Sequence, residues 1–289
     1  MTNKIKIGII GGSGIYKFNE VKQIKQHKME TPYGIPSCAV SELAVVNAEG
    51  EFPFYFIARH GEGHSISPSE INYCANIFAL KKLGVDYIVS ISAVGSLQEG
   101  INPKTFVLPT QFVDWTKGIR KRSFFGEGIV GHVSVANPVA LGLQSLTAKV
   151  CEKVGVQFLK GGTYVCIEGP QFSTKAESQI YRSFGATVIG MTNVPEAYLA
   201  KEAGMAYCTI AMVTDYDCWK EEHCTLDEIM QVMESNKEAV KKIVLELVPE
   251  ISKAPPQFTP ENRDVVVTAA EKMKPFHKEI LSVLLRDNQ

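Results

Sequence analysis

The residues of this chain best suited to chemistry fall in short clusters, each at the end of an apolar run. Thr214-Asp215-Tyr216-Asp217 follows Cys208 to Val213, a stretch too apolar for a surface strand. If strand geometry continues, Asp215 and Asp217 point to the same side. Two carboxylates together near a core are costly unless they bind something or share a proton. Solvated turn acids are the plainer alternative, but Trp219 nearby points to a covered site. Arg59-His60 closes a second run, Phe54 to Ala58, just before Gly61. A guanidinium supplies a planar pair of donors and the imidazole one more, which suits an oxyanion; a surface ion pair is the alternative.

Three weaker clusters repeat the theme. Gly11-Gly12-Ser13-Gly14 directly follows a strand-like stretch, so its backbone can approach an anion and Ser13 adds a hydroxyl. Lys17 stands where the third glycine of G-x-G-x-x-G belongs, and the segment is no Walker loop. Ser92-Ala93 and Gly95-Ser96 put small residues and hydroxyls at a strand end, and Met191-Thr192 offers an apolar wall beside a hydroxyl. His64 reads as a loop residue.

These clusters need a frame that ends many strands near one place. The sequence predicts strands at Ile5 to Ile10, Phe54 to Ala58, Tyr87 to Ala93, Phe106 to Pro109, Thr163 to Ile167, Thr187 to Met191 and Ala206 to Thr214. Helices are predicted at Pro68 to Leu83, Asn137 to Val154, Lys175 to Phe184, Pro195 to Ala203 and Thr225 to Val248. This alternation argues for a layered α/β fold with much parallel pairing. Ala254-Pro255-Pro256-Gln257 ends the long helix, and Val265 to Leu285 reads as a further helical segment within a C-terminal region of about 263–289. With no internal repeat, residues 1–289 are read as one domain.

Bulk properties narrow the function. At 289 residues, 45% hydrophobic and 21% charged, the chain can bury a large core. Its formal net charge of −1 gives no basic field for nucleic acid, so anion recognition must be local. Seven cysteines without a C-x-x-C pair fit reduced thiols and a cytoplasmic location. No signal-peptide pattern or membrane-length apolar run occurs, and the six histidines form no ligand-spaced metal site.

Taken together the motifs resemble the purine nucleoside phosphorylase superfamily, most closely its 5'-methylthioadenosine phosphorylase family. The likeness rests on Ile7-Gly-Ile-Ile-Gly-Gly-Ser-Gly-Ile15, Ala58-Arg-His-Gly61, Pro68-Ser-Glu-Ile-Asn-Tyr-Cys-Ala-Asn76 and Ala93-Val-Gly-Ser-Leu97. It continues through Ile167-Glu-Gly-Pro-Gln-Phe-Ser173, Met191-Thr-Asn-Val-Pro-Glu196 and Thr214-Asp-Tyr-Asp-Cys-Trp219. The resemblance implies an α/β domain with a central mixed sheet and distorted barrel flanked by helices, assembled as a homotrimer whose active site is shared across the interface. It implies a pentosyltransferase that cleaves 5'-methylthioadenosine with phosphate to adenine and 5-methylthioribose 1-phosphate. Inorganic phosphate is then a co-substrate, and no cofactor or metal is implied.

Roles carry over residue by residue. Ser13, Arg59, His60, Ser92, Ala93 and Thr192 fall on phosphate-binding positions, and Met191 on the ribose position. Phe172, Ser173, Asp215 and Asp217 fall on purine positions, with Asp215 as the catalytic group that hydrogen-bonds or protonates N7. His132, Leu226 and Ile229 align with the pocket for the 5' substituent, and Leu284 with a leucine lent to that pocket by a neighbouring subunit. Relatives that act on 6-oxopurines typically carry asparagine at the position of Asp215 and glutamate at that of Ser173, so this chain favours adenine. Serine replaces threonine at 13 and 92, and Asn193 replaces a common threonine. The segment between Trp219 and Leu226 is about two residues shorter than in many relatives. A broader purine nucleoside phosphorylase, acting on adenosine or inosine-type nucleosides, is the nearest alternative. An NAD-dependent oxidoreductase fails on the missing third glycine, a hydrolase on the Arg59-His60 anion pair, and a non-catalytic binding module on the full set of chemical groups.

Overall fold

The computed structural model describes residues 5–12, 20–220 and 226–286, with side chains in the last segment from Met230 onward. Four strands form the middle of one 11-stranded mixed sheet, buried wholly or over most of their length: β1 (Ile7–Gly11), β4 (Gly50–Ala58, buried from Phe54), β5 (Tyr87–Ser96) and β11 (Ala206–Tyr216). They run parallel, β4 beside β1, β1 beside β5 and β5 beside β11. Their near-continuous Ile, Val, Ala and Phe content is what burial on both faces demands.

Around them lie β2 (Val21–His27), β3 (Val40–Asn47), β6 (Phe106–Leu108), β7 (Gln111–Trp115), β8 (Phe158–Lys160), β9 (Thr163–Ile167) and β10 (Val188–Gly190). The main path is β2-β3-β4-β1-β5-β10-β9-β7, while β11 carries β6, which in turn pairs with β8. The helices are α1 (Tyr73–Lys82), α2 (Leu141–Val154), α3 (Lys175–Ser183), α4 (Asn193–Glu202), α5 (Leu226–Lys253) and α6 (Pro275–Leu284). Among the described residues no helix is long and apolar enough to cross a membrane.

The α/β expectation holds, and the predicted strands and helices occur with shifted ends. α1 starts at Tyr73 rather than Pro68 because the Asn72 side chain accepts from the Ala75 amide and sets the cap there. α3 starts where Thr174 and Glu177 form a reciprocal capping box. Val194 is extended, so regular α4 geometry begins at Pro195. The C-terminal helix is shorter than read from the sequence: Gly131 bridges Val266 in extended backbone, and the continuous helix is confined to α6.

β5 organises the sheet. Its first residues, through Ser90, pair with β1 on one edge, and the same edge pairs with antiparallel β10 only from Gly95. Among the described residues, 91–94 therefore have no strand partner on that edge, while the opposite edge stays zipped to β11. Such a switch in strand pairing at the carboxyl ends of parallel strands opens a crevice with backbone groups available to a ligand.

Candidate active site

A cavity of about 570 Å³ occupies this crevice. Gly12, Arg59, His60, Ser92, Ala93 and Thr192 line it together with Met191, Phe172, Asp215 and Asp217. Ten residues from six separate segments thus meet in one space, and nine of them were singled out from the sequence as binding or catalytic. Gly12 represents the glycine turn, since Ser13 lies outside the described residues.

Arg59 differs from its expected form. Its side chain is 2% exposed, and its bidentate face is turned away from the cavity onto Glu196, with Nε 2.7 Å from Oε2 and Nη2 2.8 Å from Oε1. Nη2 also donates to Ser90 Oγ and Nη1 to the Ile91 carbonyl. Four of the five N–H groups are thereby engaged. The planar fork predicted for an oxyanion serves an internal carboxylate, and one Nη1 proton is left for the cavity. Opposing burial, Glu196 raises the guanidinium pKa further. Ser90 and the Tyr207 hydroxyl complete Glu196 Oε1 at 2.6 and 2.9 Å, and Asn193 donates to both Ser90 and Tyr207.

His60 also differs. Its Nδ1 lies 2.9 Å from the Ile66 carbonyl, which can only accept, so Nδ1 carries the proton. Burial, with Arg59 nearby, pushes its pKa down to about 4, so the ring is neutral near pH 7. Nε2 is then an acceptor, suited to a P–OH or other hydroxyl rather than to a bare oxyanion. His64 stacks on it at 4.2 Å and itself lines the cavity, beyond the loop role expected of it.

The hydroxyls expected at the anion end are held by a residue the sequence did not flag. Ser92 Oγ lies 3.2 Å from Thr192 Oγ1 and 3.1 Å from the Tyr164 hydroxyl. That hydroxyl comes within 2.0 Å of where a Cβ on Gly190 would stand, so only glycine fits there. Gly169, at φ 66°, likewise makes room for Met191.

At the other end, β11 carries a bulge between Val213 and Asp215, which re-aims the strand end. Asp215 and Asp217 both face the cavity, as alternation predicted. Burial pushes the Asp215 carboxyl above its ordinary range; the Thr214 hydroxyl, 2.6 Å from Oδ1, opposes this and the Asp217 charge adds to it. Asp217 is raised too, chiefly by burial, against the pull of the Ser178 and Ser173 hydroxyls and the Cys218 amide. Yet Asp217 Oδ2, Ser173 Oγ and Ser178 Oγ are buried without a hydrogen-bond partner of normal geometry. Native interiors leave few such atoms unpaired, and of the three residues Asp217 lines the cavity, where its free oxygen is polar capacity for a ligand. Phe172 stands at the mouth, 73% exposed, while Ser173 lies behind the wall.

The 5' group of residues is placed differently. His132 is exposed and does not line the cavity of this chain. Leu284 is fully buried in this chain's own core, and its carbonyl accepts from Asn262, so its side chain is not available to a neighbour. The side chains of Leu226 and Ile229 lie outside the described residues. α5 instead presents Met230, Met233, Lys237 and Val240 to the cavity. Met212 and Met191 add two more thioethers to the wall. Met230 and Met233 were missed because a helical apolar stripe is ordinarily core.

Residues 6–249 match the family model of the phosphorylase superfamily. The chain belongs to the phosphorylase superfamily. A relative named S-methyl-5'-thioadenosine phosphorylase, from Thermosynechococcus vestitus, is 44% identical over 97% of this chain and 98% of its own length. A crystal structure of a methylthioadenosine phosphorylase from an antarctic soil metagenomic library superposes with a TM-score of 0.91 at 42% identity, covering 98% of this chain and all of that one. A Schistosoma mansoni methylthioadenosine phosphorylase in complex with adenine gives 0.79 at 37% identity, over 86% and 92%.

Proposed function

We propose that this chain catalyses reversible phosphorolysis of 5'-methylthioadenosine, giving adenine and 5-methylthioribose 1-phosphate. The observation that carries the reading is the polarity of the cavity. Anion-type donors (Gly12, Arg59 Nη1, Ser92, Thr192 and the unpaired β5 edge) lie at one end, and a pair of raised-pKa carboxyls lies at the other. The relatives' names agree with it.

The chemistry follows from these groups. Phosphate lies among the hydroxyls of Ser92 and Thr192 and the last Arg59 proton, and its own P–OH donates to His60 Nε2. Held there it attacks C1' while stabilising positive charge on the sugar. The purine leaves more readily when N7 is protonated. Asp215, whose pKa burial raises, is the proton donor to N7. Asp217 accepts from the 6-amino group through a carboxyl oxygen. Met191 packs on the ribose and the α5 methionines receive the methylthio group, whose polarisable sulfur suits a thioether wall.

Adenine release from 5'-methylthioadenosine is expected only with inorganic phosphate present, and faster than from adenosine or methylthioinosine. Equal release without phosphate would make the enzyme a hydrolase and remove the phosphate assignments. The assembly is a homotrimer in this reading, a neighbour covering Phe172 and bringing its His132 to the 5' end. Sedimentation at three times 31.8 kDa supports it; a fully active species of 31.8 kDa overturns it. A cytoplasmic location fits the six described cysteines, all free thiols.

A further inference from the structure

Arg120 lies in the basic run Lys117 to Arg122, whose other basic residues are exposed. The fold instead buries it completely, 0% of its side chain being exposed. All five of its N–H groups have acceptors. Nε donates to Glu168 Oε1 at 2.6 Å, and Nη2 to the Glu168 and Ile167 carbonyls at 2.7 and 3.3 Å. Nη1 donates to the Met191 and Val194 carbonyls, both at 2.8 Å.

Those acceptors belong to two different walls of the cavity. Ile167 and Glu168 begin the segment that runs through Gly169 to Phe172 and Ser173 on the base side. Met191 to Val194 continue the neighbouring strand, β10, and form the adjoining wall, which holds Thr192. Glu168 extends the node: its carboxylate also accepts from Ser69 Oγ at 2.8 Å and the Lys117 amide at 2.7 Å. The Tyr73 hydroxyl, 3.2 Å from Nη1, donates to the carbonyl of Pro68, itself a cavity residue. One guanidinium thus sets the spacing between the ribose wall, the base loop and the floor.

We propose that Arg120, with Glu168, is a positioning residue for phosphorolysis: it touches no substrate, and it fixes the distance between Met191–Thr192 and the Phe172 loop. This rests on the function proposed above. A lysine in its place can still pair with Glu168. With three donors on one atom it cannot bridge both walls. A misplacement of about 1 Å in a reacting pair costs on the order of 100-fold in rate.

The test compares wild type with Arg120→Lys and Glu168→Gln. Arg120→Lys is expected to lower nucleoside kcat/KM by about 100-fold, with both kcat and KM affected. The phosphate KM should rise too, but less, because Thr192 moves with the wall while Arg59 stays held by Glu196. Backbone hydrogen exchange should quicken in 167–173 and 191–194 and stay unchanged in β1 and β11. Unchanged nucleoside kinetics in a folded Arg120→Lys protein overturns the proposal, and so does faster exchange spread evenly over the sheet, which marks a general structural role. If Arg120→Lys does not fold, Glu168→Gln, close in shape, decides: a loss of about tenfold in nucleoside kcat/KM supports the clamp, and wild-type kinetics overturns it. If the wild-type protein releases no adenine, the reaction is wrong, and the exchange pattern alone judges the clamp.

Discussion

Asp215→Asn is expected to lower phosphate-dependent adenine release by about 10²- to 10⁴-fold, the range in which a positioned general acid contributes. An amide has the shape of the carboxylic acid and can still accept from Thr214. It has no proton to give to N7 at any accessible pH. The pH profile separates this loss from simple damage. The folded-state pKa of Asp215 is raised, so the acid form is present below that pKa and is lost as pH rises through it. Wild-type kcat therefore falls on the alkaline side with a limb set by the carboxyl pair, and Asp215→Asn loses that limb. Because Asp217 sits beside Asp215, the limb belongs to the pair and not to one residue. The variant's amide can donate to a 6-oxo group, so turnover of methylthioinosine relative to methylthioadenosine should rise. A hydrogen bond matched to one base and unmatched to the other is worth enough to invert such a preference. Full adenine-releasing activity in the variant would remove Asp215 from the chemistry.

What could be read from the sequence was the set of strand-end clusters, and the reason is physical. A polar residue directly after a buried apolar run has to be either solvated or functional, so Asp215, Asp217, Arg59 and Thr192 stood out. Thr163 to Ile167 was placed to the residue because its apolar run is bounded by Gly162 and Glu168. β2 was invisible: Val21–His27 is nearly all polar and exposed, as an edge strand can be, and offers no buried face to betray it. The short β8 carries only Phe158–Lys160 and gives no period to detect.

The partners of the site were harder to see than the site. Glu196 lies inside a motif the sequence reading quoted, yet nothing local says that its carboxylate faces Arg59, 137 positions away. Tyr164 and Tyr207 looked like ordinary strand aromatics. Arg120 was hidden among exposed basic neighbours. Asn193, noted only as a departure from a common threonine, proves to tie Ser90 to Tyr207 behind Arg59. The shared cause is range. Pattern and propensity speak for a few residues at a time, whereas a buried charge is explained by whatever the topology brings to it.

That dependence is sharpest at Glu196. Glu196→Ala is expected to destabilise the protein by about 3–5 kcal/mol, the usual consequence of leaving one member of a buried ion pair alone. Glu196 is 1% exposed, and its two oxygens accept from Arg59 twice, from Ser90 and from Tyr207, so several donors lose their acceptor together. The guanidinium cannot shed its charge to escape, since arginine remains protonated in proteins. A second consequence follows from its place on the cavity wall. Without Glu196, phosphate becomes the nearest anion that can compensate Arg59. Added phosphate should therefore raise the melting temperature of Glu196→Ala by more than it raises that of the wild type, in line with ligand linkage. Phosphorolysis should still be weakened, because Arg59 is free to swing from the Nη1 position that the Ile91 carbonyl and Glu196 jointly define. Denaturant unfolding with and without phosphate makes the measurement. A loss below about 1 kcal/mol, the level typical of a solvent-screened pair, would mean that water reaches Arg59 and that the internal carboxylate is not what holds it.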